Sequence, residues 1–390
     1  MTHTAPPLPE STAPARSATP RRVALVHDWL TGMRGGERAL EAICELFPDA
    51  TRFALIHVPG SVSATIEARP IHTSFLQRLP LSHRYYRPLL PLFPAAVEQF
   101  DLDDFDLIIS TSHCAAKSVV PPGRARHLCY CFTPMRYAWD QFDAYFGPDR
   151  VGAGASRFFR WGLGAMARWD ASTANRVDRY LAISQHVAGR IRRYYNRDAS
   201  IVYPPVDTTF FRPSGKSPGA SLLIVSALVP YKRVDLAMRA CALAGARLRI
   251  VGTGPELVRL RDLAGPNVEF LGALSDEQVL AEYQAAGAVM LPGIEDFGIG
   301  PVEAQACGRP VVALGQGGAC ETVIDGVTGV LVHEPTETAF AAAIDRVQRS
   351  RFDASTIRQH ALGFSRERFQ VAFTQHVEQL MMVPKERVAE

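Results

Sequence analysis

Two glutamates eight positions apart, Glu295 and Glu303, bracket an Asp-Phe-Gly-Ile-Gly turn and a proline in the stretch GIEDFGIGPVEAQACG, residues 293–308. Such a pair could act as acid and base, or could accept hydrogen bonds from the hydroxyls of a bound ligand. The strand-like run AVMLPG ends just before the first glutamate. Pro301 suits the first position of a helix, where its missing N–H costs nothing. On this reading Glu303 is the third helical residue, and Gly298, Ile299 and Gly300 carry backbone amides with no helical acceptor. A helix start of this kind favours an anion, and the two glycines allow a phosphate to approach the backbone. The plainer readings are a first-turn acid that steadies its helix for Glu303, and a solvated loop residue for Glu295.

Other patterns carry less. GTGPEL (252–257) follows a strand-like run but lacks the third glycine of G-x-G-x-x-G, which argues against a dinucleotide oxidoreductase. Phe210 stands where the first glycine of a P-loop ending in Gly215-Lys216-Ser217 would be. DLDDFDL (101–107) offers Asp101-x-Asp103 and Asp104-x-Asp106, which could imitate a metal-binding D-x-D. Acidic residues just ahead of a strand more often form a polar turn. No H-E-x-x-H spacing occurs, and the seven cysteines (Cys44, Cys114, Cys129, Cys131, Cys241, Cys307, Cys320) form no C-x-x-C pair. They read as small buried hydrophobes in a reducing compartment.

The elements that must position the glutamates can be read along the chain. Its 390 residues are 47% hydrophobic with a net charge of +3, a composition that suits two or three globular domains and calls for no nucleic-acid partner. Residues 1–22, rich in Pro, Ser, Thr and Ala, read as a disordered tail, and no apolar run is long enough to span a membrane. Strands are expected at 23–29, 52–58, 106–110, 127–132 and 179–184, alternating with helices. The segment YPPVDTTFFRPSGKSPG (203–219) breaks the rhythm as a linker would. Strands then resume at 222–228, 247–254, 268–274, 288–293, 310–316 and 328–333, and Ser275 to Gln278 fits a capping box. Continuous apolar strands alternating with helices imply parallel sheets covered on both faces. The expected fold is α/β, with two Rossmann-like doubly wound domains at 23–205 and 206–365 and the site in the cleft between them. The region from about 356 to 381 reads as helical, and residues 366–390 are expected to cross back to the first domain.

Residues 293–329, GIEDFGIGPVEAQACGRPVVALGQGGACETVIDGVTG, resemble the signature of the family 4 retaining glycosyltransferases, the E-x7-E type with the GT-B fold. The matched elements are the glutamate pair, Pro301-Val302-Glu303-Ala304, Gly308-x-Pro310, Gly317-Gly318, and Glu321 followed by Asp325-Gly326. HDWLTGMRGGER, PLFPAAVEQFDL, TPMRYAWD, PPVD and LVPYKRVDLA extend the likeness from about residue 22 to 375. These stretches are similar to a bacterial branch that includes mannosyltransferases of O-antigen and exopolysaccharide assembly. The resemblance implies that Glu303 binds the ribose hydroxyls of a nucleotide and that Glu295 sits beside the donor sugar. Lys232 would contact the diphosphate, and Gly35 and Gly36 would bring backbone amides to the same phosphates. No metal or other cofactor is implied, because cationic and backbone donors can stabilise a departing diphosphate. The retaining outcome implied is same-face substitution.

Two positions depart from the family pattern. Ala227 stands where the family has a second clamp arginine, a role that Arg233 could take. Phe132 replaces a histidine that faces the sugar, leaving His113 and His27 as candidates. The implied donor is a nucleotide sugar, GDP-mannose first and a UDP-sugar second, and the implied acceptor is a polyprenyl-linked saccharide. A catalytically weakened nucleotide-binding partner subunit is the rival reading. FLQRLPLSHRYYRPLLPLF (75–93) and RFFRWGLGAMARW (157–169) mix arginines with aromatics and leucines. They suit either an anionic membrane surface or core helices. The expected location is cytoplasmic, peripheral on the inner face of the membrane.

Overall fold

Short apolar runs form parallel strands when helices cover both faces of the sheet, and the computed structural model contains two such sheets. It describes residues 22–82, 86–140, 142, 148 and 152–383; the expected disordered tail lies outside these except for Arg22. The first sheet has the order β3-β2-β1-β4-β5-β6-β7. Its strands are β1 (Val23–His27), β2 (Thr51–Ala54), β3 (Ile71–Thr73), β4 (Leu107–Ser112), β5 (Arg126–Cys131), β6 (Arg179–Ala182) and β7 (Ala199–Ile201). The second has the order β10-β9-β8-β11-β12-β13. It comprises β8 (Leu222–Val225), β9 (Leu248–Val251), β10 (Val268–Gly272), β11 (Ala288–Leu291), β12 (Val311–Leu314) and β13 (Gly329–Val332). Every neighbouring pair is parallel, with β1 running from Val23↔Leu107 to His27↔Thr111 against β4. These are two Rossmann-like sheets in the GT-B arrangement.

The strand order reverses between β1 and β4 in one sheet and between β8 and β11 in the other. Loops leaving the carboxyl ends of those strands open a crevice, the usual ligand position in doubly wound folds. Those loops and the helix starts that follow them hold the residues singled out above: Gly35-Gly36, which open the helix after β1, His113 after β4, Lys232 after β8 and Glu295 after β11.

The chain crosses between the sheets twice, and the two crossings pair with each other through a bridge from Val206 to Ser365. Tyr203, Phe297 and Phe364 pack around them with ring centroids 5.2–5.7 Å apart. The last described helix, Arg366–Met382, then lies on the first sheet. There Phe369 and Phe373 meet Tyr130, and Arg366 pairs with Glu41 at 3.1 Å.

Four elements differ from their sequence reading. Strands β3 and β7 are three-residue sheet edges with no fully buried position, so no apolar run announced them. Strand β2 ends at Ala54, four residues early, because Ile56 and Val58 bond to Leu30 in the neighbouring loop instead. The helix after the DFGIG turn is Ile299–Ala306, two residues ahead of the start assigned from Pro301. Gly298 caps it at φ 93°, a left-handed conformation open to glycine, so the chain turns before the proline is reached. Glu303 is therefore the fifth helical residue. Pro301 occupies the third position, where its missing N–H removes one donor that would otherwise lack an acceptor.

Candidate active site

The second sheet contributes the charged half of the cleft. Lys232 ends the short turn Pro230–Lys232, and its ammonium forms an ion pair with the Glu295 carboxylate. Glycine is what allows the two loops to come this close. A Cβ on Gly293 would stand 2.3 Å from the Tyr231 carbonyl oxygen and 2.9 Å from Lys232 Cα. From the other side, Gly318 donates its N–H to the Glu295 carbonyl at 2.8 Å. A Cβ on Gly318 would lie 2.3 Å from Phe297 Cα, so the Gly317-Gly318 turn holds the EDFG backbone by direct contact. The obstructing atoms at Gly293 are backbone, so Gly293→Ala must displace the Lys232 turn. A loss of about 1–3 kcal/mol of stability is expected, the usual cost of overpacking. Weaker binding of GDP and UDP should accompany it, and thermal melts with calorimetry measure both.

Glu303 lies one and a half turns into the Ile299 helix and accepts a hydrogen bond from the hydroxyl of buried Tyr283 at 3.1 Å. Burial pushes its carboxyl up to about 7, against the opposing pull of the Arg38 guanidinium and the Tyr283 hydroxyl. Arg38 belongs to the first sheet's helix Gly35–Leu46 and crosses the cleft to pair with Asp276 at 2.7 Å. The amides of Ile299 and Gly300 fall in the first helical turn, where no intrahelical acceptor exists.

The first sheet supplies the facing wall. A Cβ on Gly35 would come within 2.6 Å of the Ile299 side-chain terminus, so the Gly35 backbone and the Ile299 helix start face each other almost in contact. Gly36 rests on Phe132 and His27, 3.3 Å and 3.7 Å from where a Cβ would be. His27 is buried and bonds Thr111 at 2.7 Å, and burial lowers its pKa to about 3. It is therefore a neutral packing residue beneath the loop. His113 is the more exposed histidine. Its Nδ1 lies 3.1 Å from the Asp28 carboxylate, and its ring meets Trp29 edge-on at 4.4 Å. Asp28 itself is fully buried and accepts four backbone N–H groups, from His113 to Ala116, at 2.6–3.0 Å. That carboxylate therefore fixes the His113 loop.

Arg233 does not join the others. It adopts a left-handed conformation (φ 52°), and its guanidinium turns to Asp235 at 3.7 Å. Ala227 is exposed, and a different arginine enters the space between the domains. Arg136, from the helical turn after β5, bonds the Asp296 carboxylate through Nε at 2.9 Å and packs over the Tyr231 ring at 5.2 Å. Arg190 reaches Asp296 from the helix Gln185–Tyr195 at 3.1 Å. Glu321 lies outside the site, capping the start of that same helix by accepting the N–H groups of Gln185 and His186. Sequence reading missed Asp296, Arg136, Arg190, Arg38 and Tyr283. Arg136 was in view within TPMRYAWD, but the motif offered no partner for it.

The acidic run before β4 is a turn at the amino end of that strand, away from the cleft. Asp106 accepts the Arg22 N–H at 3.1 Å and Asp104 pairs with the Arg22 side chain. Among the described residues no group of three or more His, Cys, Asp or Glu converges as metal ligands would.

Residues 207–362, the whole second sheet with its helices, match the family model described as glycosyl transferases group 1. Among curated proteins, the chain is 34% identical over 226 residues to the D-inositol 3-phosphate glycosyltransferase of Mycolicibacterium smegmatis, covering 50% of this chain and 51% of that one. The Mycobacterium tuberculosis enzyme of the same name is 32% identical over 230 residues, 51% of this chain and 48% of that one. The chain thus spans about half the length of the curated relatives it matches. Among solved structures, HepE of Anabaena in complex with UDP-glucose aligns over 92% of this chain and 98% of its own, at a TM-score of 0.67 and 21% identity. Sucrose-phosphate synthase of Thermosynechococcus elongatus aligns over 92% and 99%, at 0.65 and 17%. At these identities the two structures speak for the fold. The matched residues include Lys232, Glu295 and Glu303, while Gly35, Gly36 and His113 lie outside them, in the domain of the first sheet.

Proposed function

We propose that the cleft is the donor site of a retaining glycosyltransferase that takes a hexose from a nucleotide sugar. The observation that carries this is the Lys232–Glu295 pair at the switch point of one sheet, together with the Ile299 helix start that meets the Gly35-Gly36 helix start at the switch point of the other. Anionic phosphates suit that place, which offers an ammonium and the first-turn amides of two helices, Ile299–Ala306 and Gly35–Leu46. Glu303 accepts the ribose hydroxyls, and Glu295 lies on the sugar side of the diphosphate. The bond from the anomeric carbon to the diphosphate breaks while the acceptor oxygen bonds that carbon on the same face. The departing phosphate oxygen takes the acceptor's proton. Lys232 and the amides stabilise the charge that develops, which is the largest service a protein can offer a good leaving group.

GDP-mannose is the donor favoured by the resemblance to the mannosyltransferase branch. A UDP-sugar is the second reading, supported by the UDP-glucose held by HepE. For the acceptor, the reading is a polyprenyl-linked saccharide of bacterial surface polysaccharide synthesis, met at an anionic membrane surface. The helix Ala153–Ser172 supports this: Trp161 is 73% exposed on it, beside exposed Phe159, Arg157, Arg160 and Arg168. In the other basic-aromatic segment, residues 83–85 lie outside the described residues. No described helix is long and apolar enough to cross a membrane.

Thermal stabilisation by GDP against UDP tests the base, since a ligand at 100 times its dissociation constant adds about 2.7 kcal/mol. Labelled GDP-mannose and UDP-glucose, incubated with a polyprenyl-saccharide extract, test transfer. Nucleotide binding without turnover of any donor would favour the inactive-subunit reading instead.

The ribose assignment has its own test. A carboxylate accepts hydroxyl donors better when ionised, so affinity for the stabilising nucleotide should rise as pH climbs through about 7 and level off above it. The nucleotide's terminal phosphate also titrates, near about pH 6. The informative quantity is therefore the difference between wild type and Glu303→Gln. The variant should lose the step near 7, and parallel profiles by calorimetry would remove Glu303 from the ribose.

A further inference from the structure

Asp296 follows Glu295 directly, and its buried carboxylate meets three basic side chains, all from the first domain. Arg136 bonds Oδ2 through Nε at 2.9 Å and Nη2 at 2.5 Å. Arg190 takes Oδ1 at 3.1 Å, with His186 Nε2 at 3.7 Å from the same oxygen. Burial alone would raise the Asp296 pKa, but Arg136 and Arg190 outweigh it and hold the carboxyl below its ordinary value. Arg190 also bonds Thr133 and Asp140, so the loop after β5 and the Gln185 helix grip Asp296 as one unit.

The other side of the same dipeptide is equally tied. The Glu295 carbonyl accepts from Gly318, its backbone bridges to Gly317, and its side chain holds Lys232. One peptide unit therefore separates the first domain's guanidinium groups from the donor-side ion pair. Arg136 adds a second link by lying over Tyr231, the residue before Lys232.

We propose that Asp296 is a positioning residue, through which engagement of Arg136 and Arg190 on closure of the cleft sets the geometry of Glu295 and Lys232. This rests on reading the cleft as a nucleotide-sugar site. A carboxylate serving only to hold the domains together would affect stability; one that orients the reacting groups must also change turnover at saturating donor.

The test uses the full chain with Asp296→Asn, Arg136→Gln and the double variant, each first confirmed as folded by its thermal melt. Calorimetry gives GDP and UDP affinities, nucleoside diphosphate release from GDP-mannose and UDP-glucose gives turnover, and small-angle scattering gives the radius of gyration. Asp296→Asn should leave the nucleoside diphosphate affinity near wild type, enlarge the radius of gyration, and slow release at saturating donor by about 100-fold, the scale of an ångström of misplacement. The double variant should match the slower single variant to within about twofold, because both break one linkage. Asp296→Glu should recover part of the rate. Should Asp296→Asn fail to fold, Arg136→Gln carries the same expectations, since Arg190 still neutralises Asp296. Unchanged turnover in a variant that still binds nucleotide, or multiplicative losses in the double variant, overturns the proposal alone. Wild type that binds neither GDP nor UDP overturns the donor-site reading and this proposal with it.

Discussion

Lys117→Met is expected to lower folding stability by about 3–5 kcal/mol, because it strands a buried carboxylate. Lys117 and Asp170 are 1% and 0% exposed, with the ammonium 2.9 Å from Oδ1. The same ammonium donates to the Asp170 carbonyl at 2.6 Å and to Thr173 at 3.1 Å, and lies 4.5 Å above the Tyr195 ring. The other Asp170 oxygen accepts from Trp139 at 2.8 Å and Tyr195 at 2.9 Å. Trp139 ends the helical turn that begins with Arg136, so this pair lies beneath the wall of the cleft. Replacing both members, in Lys117→Met/Asp170→Asn, removes the stranded charge and should recover part of the loss while keeping acceptors for Trp139 and Tyr195. Urea unfolding with an unchanged m-value measures each difference. A single-variant loss below about 1 kcal/mol would match an exposed pair and contradict the burial.

What the sequence disclosed follows from how local each feature is. Strands such as LIISTS and AVML are covered on both faces, so their apolar runs stand out whatever surrounds them. The three-residue edges β3 and β7 are half exposed and leave no such mark. Gly-Ile-Gly and Pro301 announced a helix start, but only the backbone angle at Gly298 decided which residue opens it. Glu295, Glu303 and Lys232 were legible because a motif groups them. Asp296 meets Arg136 and Arg190 across 160 and 106 positions. No periodicity links residues so far apart. Arg233 shows the converse: it adjoins Lys232 in sequence, yet one left-handed residue turns it toward Asp235. Tyr283 reads as an ordinary core aromatic, and only the fold brings its hydroxyl to Glu303.

Lys232→Met should weaken nucleotide binding and Glu295→Gln should not, while both slow transfer. In the free protein the Lys232 ammonium is held by Glu295, so an incoming diphosphate competes with a carboxylate for it. Lys232→Met removes a charged donor, worth about 1.5–3 kcal/mol, and leaves the Glu295 charge, 7% exposed, facing the phosphates. Affinity for the preferred nucleoside diphosphate should fall by about 10- to 100-fold, the equivalent of that energy. Glu295→Gln frees the ammonium and removes a like charge, so affinity should hold or rise. Transfer depends on charge developing on the leaving diphosphate and on the sugar beside Glu295. Each variant should therefore lose about 100- to 1,000-fold in turnover, the scale seen when one preorganised electrostatic contact is removed. Calorimetry against GDP and UDP, paired with single-turnover transfer from the donor that binds, separates the two effects. If Glu295→Gln weakened nucleotide binding as much as Lys232→Met, Glu295 would be a phosphate-side scaffold, and its place beside the sugar would be lost.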